Sequence, residues 1–136
     1  MKTFHLDIVT PTRELDLGEV TYLRAPGLDG LFGILADHTN ALFAVDVGEV
    51  KVERNSEKTY FATSGGYLEV TGSQAQLLVE TVERADEIDV DRARSARDRA
   101  RERLSARRED LDRERALASL KRSGNRLRIA ERTRSV

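Results

Sequence analysis

Residues 83–93 read Glu-Arg-Ala-Asp-Glu-Ile-Asp-Val-Asp-Arg-Ala, and the character of the chain changes at this stretch. Before it, short alternating segments are rich in β-branched and aromatic residues. After it, the sequence consists mainly of arginine, acidic residues and alanine. The stretch therefore predicts a boundary between a β domain at residues 1–85 and a helical domain at residues 86–136.

The distribution of charge changes at the same place. Residues 1–85 carry 7 Lys and Arg against 13 Asp and Glu, a net charge of −6. Residues 86–136 carry 16 against 11, a net charge of +5, and the two parts together give the −1 of the whole chain. A nearly neutral total therefore combines an acidic N-terminal part with a basic C-terminal part.

Composition limits the kinds of site and location. The chain has no cysteine, which excludes disulfides and cysteine-based metal sites. His5 and His38 have no second histidine or cysteine at ligand spacing, so we expect no metal site. No stretch approaches the roughly 20 apolar residues of a membrane span, and the N-terminus is not typical of a signal peptide. We therefore expect a soluble protein made in the cytoplasm, without direct insertion into a membrane.

Short apolar segments separated by turn residues run through the first part of the chain. Alternation at Phe4, Leu6 and Ile8 predicts a half-buried strand that Pro11 ends. Further strands, bounded by glycine, proline or polar turns, are predicted at 20–23, 31–35, 41–45, 47–52, 60–62, 66–70 and 75–82. Because no helix intervenes, we predict a small β-sandwich or barrel of short antiparallel strands.

Two helices are predicted in the second part of the chain. Asp89 or Asp91 can cap a first helix that runs to about residue 104, because acidic groups satisfy free N–H groups at a helix start. The polar residues 105–109 predict a turn, and a second helix is predicted at about 110–131. Together they predict an antiparallel two-helix hairpin after the β domain.

The apolar sides of these helices are thin. At about 100° per residue, they comprise Val90, Ala93, Ala96, Ala100 and Leu104 on the first helix, and Leu117, Leu120, Gly124 and Leu127 on the second. Gly124 indicates either close packing or a weak point. A buried leucine contributes about 1.5–3 kcal/mol and an alanine much less, whereas fixing one residue's backbone costs about 1–2 kcal/mol. We therefore predict a marginal hairpin that needs the β domain, a partner or a ligand to stay closed.

Four arginines are spaced so that they could meet in one cleft. Arg92 and Arg99 lie seven residues apart, and Arg122 and Arg126 four apart, so each pair shares a helix face. In an antiparallel hairpin the two pairs lie at matching heights. Such a cluster is repulsive when empty and favourable around a polyphosphate. From spacing alone, however, an ordinary solvated surface is the preferred explanation.

Three strings carry a family resemblance. Residues 33–38 read Gly-Ile-Leu-Ala-Asp-His, residues 64–70 read Ser-Gly-Gly-Tyr-Leu-Glu-Val, and residues 88–93 read Ile-Asp-Val-Asp-Arg-Ala. They are similar to the G-I-L-P-G-H, S-G-G-[FY]-L-E-V and [IL]-D-x-x-R-A motifs of the epsilon subunit of bacterial F-type ATP synthase, the last being typical of ATP-binding, bacilli-like members. Ala36 and Asp37 depart from the first motif. The resemblance covers essentially the whole chain.

The resemblance implies a regulatory rotor subunit in the central stalk of the proton-translocating enzyme, and not a catalyst. The β-sandwich would contact the gamma subunit and the c-ring. The helical hairpin would either lie folded or extend into the alpha/beta catalytic head, where it inhibits ATP hydrolysis. Such a subunit is peripheral to the cell membrane, on its cytoplasmic side, as part of the complex.

The resemblance also implies that ATP is a regulatory ligand of the folded hairpin. The implied site comprises Ile88, Asp89 and Ala93 on the adenine side, Glu83 near the hinge, and Arg92, Arg99, Arg122 and Arg126 at the phosphates. A carboxylate can accept from the adenine amino group, and guanidinium groups suit phosphate oxygens. Asp91 and Asp98 depart by adding negative charge nearby. Whether magnesium accompanies the nucleotide is left open.

Two other classes of function are weighed against this one. An arginine-rich tail can bind nucleic acid by neutralising phosphates, but acidic residues are interleaved here and no aromatic residue follows Tyr67 to stack on bases. An enzyme needs a nucleophile, base and acid in reach of one another, and no such grouping is evident from spacing. We therefore expect neither a nucleic-acid partner nor catalytic residues.

Overall fold

The computed structural model describes residues 2–106 and 110–134. The chain divides into two compact units, Met1–Arg84 and Ala85–Val136. Within the described residues, the first unit consists of ten strands. They are β1 Phe4–Val9, β2 Glu14–Val20, β3 Tyr22–Gly27, β4 Gly30–Ile34, β5 Ala41–Val45, β6 Gly48–Arg54, β7 Glu57–Thr63, β8 Gly66–Thr71, β9 Gln74–Val79 and β10 Val82–Arg84.

The strands form one hydrogen-bonded sheet in the order β10-β7-β6-β3-β5-β8-β9-β1-β2, with β4 paired to β3. All neighbouring strands in this order are antiparallel except β1 and β9, which are parallel. The sheet curls so that β2 approaches β6, where Arg54 Nη1 donates to the Leu17 carbonyl oxygen at 2.7 Å. Its inner face holds the core, which includes Leu6, Ile8, Leu23, Phe61, Leu68 and Leu77. This curled, sandwich-like sheet confirms the predicted fold class of the first unit.

Two strand predictions are wrong in detail. The predicted strand at 20–23 is the junction of two strands, β2 and β3, which meet at Thr21. Pro26 does not end β3 but lies within it. Proline has no backbone N–H to donate to a neighbouring strand, but its carbonyl oxygen accepts a hydrogen bond from the Asp46 backbone N at 2.8 Å. The predicted strand at 75–82 is likewise divided into β9 and β10.

The second unit begins with a 3₁₀ turn, Ala85–Glu87, followed by α1 Val90–Ser105 and α2 Asp110–Arg134. α2 packs along α1 and against the 3₁₀ turn. This arrangement confirms the predicted antiparallel hairpin. Of the predicted turn at 105–109, Ser105 ends α1, and residues 107–109 lie outside the described part of the chain.

The buried side of α1 is the predicted one. Ala93 and Ala100 are buried, and Val90, Ala96 and Leu104 are half-buried. All five positions recur at helical spacing on one side. Because most of them are alanines, α1 can approach its neighbour closely but contributes little apolar area.

The predicted apolar stripe of α2 is partly wrong. Leu117 is 49% exposed. The buried stripe instead comprises Ala116, Ser123, Leu127 and Ala130, while Asn125 and Ile129 are buried on another side. Hydropathy does not predict this stripe because one of its members is a serine. The Ser123 hydroxyl has a hydrogen-bond partner within the helix, since its Oγ donates to the Ser119 carbonyl oxygen at 2.8 Å.

Gly124 weakens α2 without a packing reason. A Cβ built at this position meets no atom within 4 Å outside its chain neighbours and the local helix backbone. We expect Gly124→Ala to raise the free energy of unfolding of the hairpin by about 0.5–1 kcal/mol, because alanine loses less backbone entropy in a helix. Thermal unfolding followed by helical circular dichroism measures the change. The converse variant, Ala118→Gly at an exposed position, should lower the free energy of unfolding by a similar amount. A loss of stability in Gly124→Ala would contradict this explanation.

Candidate anion-binding flank of the helical hairpin

Asp89 joins the 3₁₀ turn to α1 and caps the helix. Its Oδ1 accepts from the Arg92 backbone N at 3.0 Å, and its carbonyl oxygen accepts from the Ala93 backbone N at 3.0 Å. These bonds confirm one of the two capping residues predicted from sequence and fix the carboxylate at the start of α1. The cap thereby also sets the orientation of the second carboxylate oxygen, Oδ2.

The other residues predicted for the adenine side are placed differently. Ile88 is 3% exposed and Ala93 is 0% exposed, so neither offers free surface to a base in this arrangement. Glu83 is half-buried on β10, where it pairs with Ala62 of β7 in the first unit. Of the adenine-side residues in the hairpin, Asp89 is therefore the accessible polar one.

Each of the four predicted arginines directly precedes a buried residue of its helix: Arg92 before Ala93, Arg99 before Ala100, Arg122 before Ser123, and Arg126 before Leu127. Successive helical residues are about 100° apart, so every arginine lies about 100° from the buried stripe in the same rotational sense. When two antiparallel helices pack together through such stripes, residues that are displaced from the two stripes in the same rotational sense lie on the same side of the helix pair. Helix geometry therefore brings all four to one side of the hairpin, here called the arginine flank.

Two further arginines extend the arginine flank toward the turn between the helices. Arg103 precedes the half-buried Leu104, and Arg115 precedes the buried Ala116. Neither arginine belongs to the predicted set; for Arg115 the reason is that hydropathy places the apolar stripe of α2 at other positions. The signal that identifies them is their place directly before a buried residue.

The acidic departures from the family motif lie away from this flank. Asp91 and Asp98 each precede an arginine of the flank, which turns them about another 100° away from the buried stripe. Both approach arginines outside the flank: Asp91 Oδ1 lies 3.8 Å from Arg94 Nη1, and Asp98 Oδ1 lies 3.3 Å from Arg97 Nε. Their charge thus lies about 100° around α1 from the arginine flank, roughly opposite the buried stripe.

The arginine flank is largely open to solvent. Arg92, Arg99 and Arg122 are exposed, and Arg126 is half-buried. Among the described residues, no carboxylate lies within 4.0 Å of the guanidinium nitrogens of the three exposed arginines. Like charges on one side of the hairpin raise the free energy of its closed form, and a bound multivalent anion lowers it.

Comparison with known proteins covers both units. The family model described as "ATP synthase, Delta/Epsilon chain, beta-sandwich domain" matches residues 3–85, and "ATP synthase, Delta/Epsilon chain, long alpha-helix domain" matches residues 86–131. The chain belongs to the ATP synthase delta/epsilon family. This membership confirms the resemblance found in the sequence motifs.

Relatives within the delta/epsilon family match over nearly the full length. The ATP synthase epsilon chain of Nitratidesulfovibrio vulgaris is 41% identical over 128 residues, which are 94% of this chain and 96% of the relative. That of Halalkalibacterium halodurans is 39% identical over 133 residues, 97% and 100% of the two chains. Both relatives are described as epsilon chains of ATP synthase.

The fold of the delta/epsilon family is also found in a solved structure. A chain of the Euglena gracilis mitochondrial ATP synthase, in a structure of its OSCP, F1 and c-ring, superposes with a TM-score of 0.80 at 19% identity. The match covers 90% of this chain and 78% of that chain. Within residues 2–106 and 110–134, no helix combines the length and apolar character that crossing a membrane requires.

Proposed function

We propose that this chain is a non-catalytic regulatory subunit in the central stalk of the proton-translocating F-type ATP synthase. Its β unit contacts the gamma subunit and the c-ring and couples one to the other. Its hairpin reaches the alpha/beta catalytic head when it extends, and there inhibits ATP hydrolysis. The subunit is peripheral to the cell membrane on the cytoplasmic side. Full-length similarity to epsilon chains supports this assignment.

ATP is the proposed regulatory ligand, and the arginine flank is the observation that carries this proposal. Both helices contribute guanidinium groups to it, Arg92 and Arg99 from α1 and Arg122 and Arg126 from α2. A polyphosphate bound there forms charge-assisted hydrogen bonds with both helices at once. The ligand thereby favours the closed hairpin, in which alone the two sets of arginines lie side by side.

Thin apolar packing makes the hairpin responsive to such a ligand. α1 contributes mainly alanines to the buried side, and α2 buries a serine and a single leucine in its stripe. A ligand shifts an equilibrium only by its differential affinity for the two states. ATP meets arginines of both helices in the closed hairpin and of one helix in the extended form. Inhibition is therefore expected to fall as the ATP concentration rises.

Asp89 is the proposed source of selectivity for adenine. Because its Oδ1 is held by the cap, Oδ2 is oriented to accept from the amino group at position 6 of adenine. Guanine has a carbonyl oxygen at that position, which repels a carboxylate. Ile88 and Ala93 lie beside Asp89 but are buried, so the adenine ring reaches them only after neighbouring groups shift. Glu83 is proposed to act near the hinge.

Calorimetric titration of the full chain with ATP, ADP and GTP tests the proposed site. We expect one ATP per chain, with ADP bound more weakly because it has one phosphate fewer and GTP more weakly because of Asp89. As a matched variant, Asp89→Ser keeps a capping oxygen and loses the carboxylate, so it should bind ATP and GTP almost equally. Equal affinity of the unaltered chain for all three nucleotides would remove the proposed selectivity.

A further inference from the structure

His5, Asp7 and Asp16 form a cluster of metal-ligating side chains in the β unit. His5 Nε2 lies 3.3 Å from Asp7 Oδ1 and 3.0 Å from Asp16 Oδ1, and the three ligand atoms all lie within 4.8 Å of one another. The expectation of no metal site rests on the lack of a second histidine or cysteine at ligand spacing from His5. The cluster instead depends on an aspartate from the neighbouring strand.

A β-bulge between β1 and β2 assembles the cluster. His5 and Asp7 are two residues apart on β1 and therefore lie on the same face of the sheet. The register of the two strands shifts at this point, so that Asp7 is paired with Asp16. Gly18, which follows on β2, has φ +69°, a conformation that glycine adopts readily and that is typical of bulges. The bulge thereby turns Asp16 onto the face of His5.

The separations match those in a coordination shell. Nitrogen and oxygen ligands lie about 2.0–2.2 Å from Zn²⁺ and hence about 3.0–3.5 Å from one another, in agreement with the two distances from His5 Nε2. Hydrogen bonding explains this arrangement less well. A neutral imidazole nitrogen carries either one proton or one lone pair, whereas His5 Nε2 lies beside two carboxylates. Asp16 Oδ1 also accepts from the Gly18 backbone N at 2.8 Å, which orients it as outer-shell bonds orient metal ligands.

We propose that His5, Asp7 and Asp16 bind one divalent cation of the zinc class, with water completing its coordination. Their side chains are 31%, 28% and 67% exposed, so the site is open to solvent on one side. An imidazole ligand favours Zn²⁺ and Co²⁺ over Mg²⁺, which prefers oxygen ligands. A bound ion ties the edge strand β2 to β1. This site is independent of the arginine flank and of the proposed ATP regulation.

Titration of the tag-free full chain with Zn²⁺ by calorimetry, and with Co²⁺ by visible absorption, tests the site. We expect one ion per chain, and Zn²⁺ binding at least about tenfold tighter than Mg²⁺ binding. His5→Gln and Asp7→Asn should each weaken Zn²⁺ binding about 100-fold, since losing an outer-shell partner alone costs about 10- to 100-fold. His38→Gln is the matched control, because His38 is the other histidine and its Nδ1 lies near the Thr39 carbonyl oxygen instead.

The variants decide between an ion site and a hydrogen-bonded cluster. Unchanged affinity in His5→Gln, an equal loss in His38→Gln, or no stoichiometric binding by the unaltered chain overturns the proposal. Asp16→Asn serves as a further variant, because its side chain is largely exposed and its replacement leaves the core untouched. Loss of the Co²⁺ absorption in this variant, with an unchanged circular dichroism spectrum, supports the proposal.

Discussion

Replacing Gly66 with alanine is expected to lower the free energy of unfolding of the β unit by about 3 kcal/mol or more, because the backbone around it cannot accommodate a side chain. Gly66 begins β8 with φ +155° and pairs with Val45 and Val79. A Cβ there lies 2.0 Å from the Leu78 carbonyl oxygen and 2.8 Å from the Val79 Cα. Both are backbone atoms, so relief requires opening the pairing of β8 with β9. Urea unfolding curves measure the loss.

The matched control for this prediction is Gly72→Ala. Gly72 has φ +60°, but a Cβ there meets nothing within 4 Å. We therefore expect only the conformational cost of about 1–2 kcal/mol for a left-handed residue with a side chain. If both variants lose the same stability, close approach of the backbone is not the reason for the glycine at 66. The comparison gives a physical basis for the Ser-Gly-Gly string in the sequence motif.

The double variant Arg99→Ala with Arg122→Ala is expected to weaken ATP binding by at least about 100-fold. One arginine lies on each helix, and in an antiparallel hairpin the two are expected at matching heights. A hydrogen bond to a charged group contributes about 1.5–3 kcal/mol, and two such losses exceed the roughly 2.7 kcal/mol that corresponds to a factor of 100. Calorimetric titration with ATP measures the change directly.

A second double variant, Arg101→Ala with Arg113→Ala, removes the same charge from the other side of the hairpin. Arg101 directly follows the buried Ala100, and Arg113 lies three residues before the buried Ala116, so both point away from the arginine flank. We expect this variant to retain ATP affinity within about threefold, because exposed charges at a distance are screened by salt. Equal losses in the two double variants would show that net charge, and not the flank, binds ATP.

The sequence predicts most of the β unit because its strands alternate cleanly. β1 and β5 match their predicted positions closely, since each is bounded by polar or glycine residues. β2 was missed because it is an edge strand rich in acidic residues, whose pairing with β1 the alternation of apolar residues does not reveal. A proline is expected to bound a strand, yet Pro26 lies within β3, because a single sequence does not show which backbone groups have a hydrogen-bond partner.

The helical hairpin and its candidate site are predictable in part. The cap at Asp89 and the alanine side of α1 follow from local rules, and the structure agrees with both. The stripe of α2 does not follow from hydropathy, since burial there favours small residues such as Ser123 over Leu117. The cluster around His5 needs the register of two strands and a bulge between them, which local spacing in the sequence does not contain.

If ATP holds a marginally stable hairpin closed, it must slow amide hydrogen exchange in the helices, which can be measured on the full chain with and without ATP. We expect rapid exchange in α1 and α2 without nucleotide, and exchange slowed up to about 100-fold at an ATP concentration of 100 times the Kd. The strands of the β unit should be unaffected and serve as the internal control. Helices that are strongly protected without nucleotide, and unchanged when ATP is added, would contradict the claim.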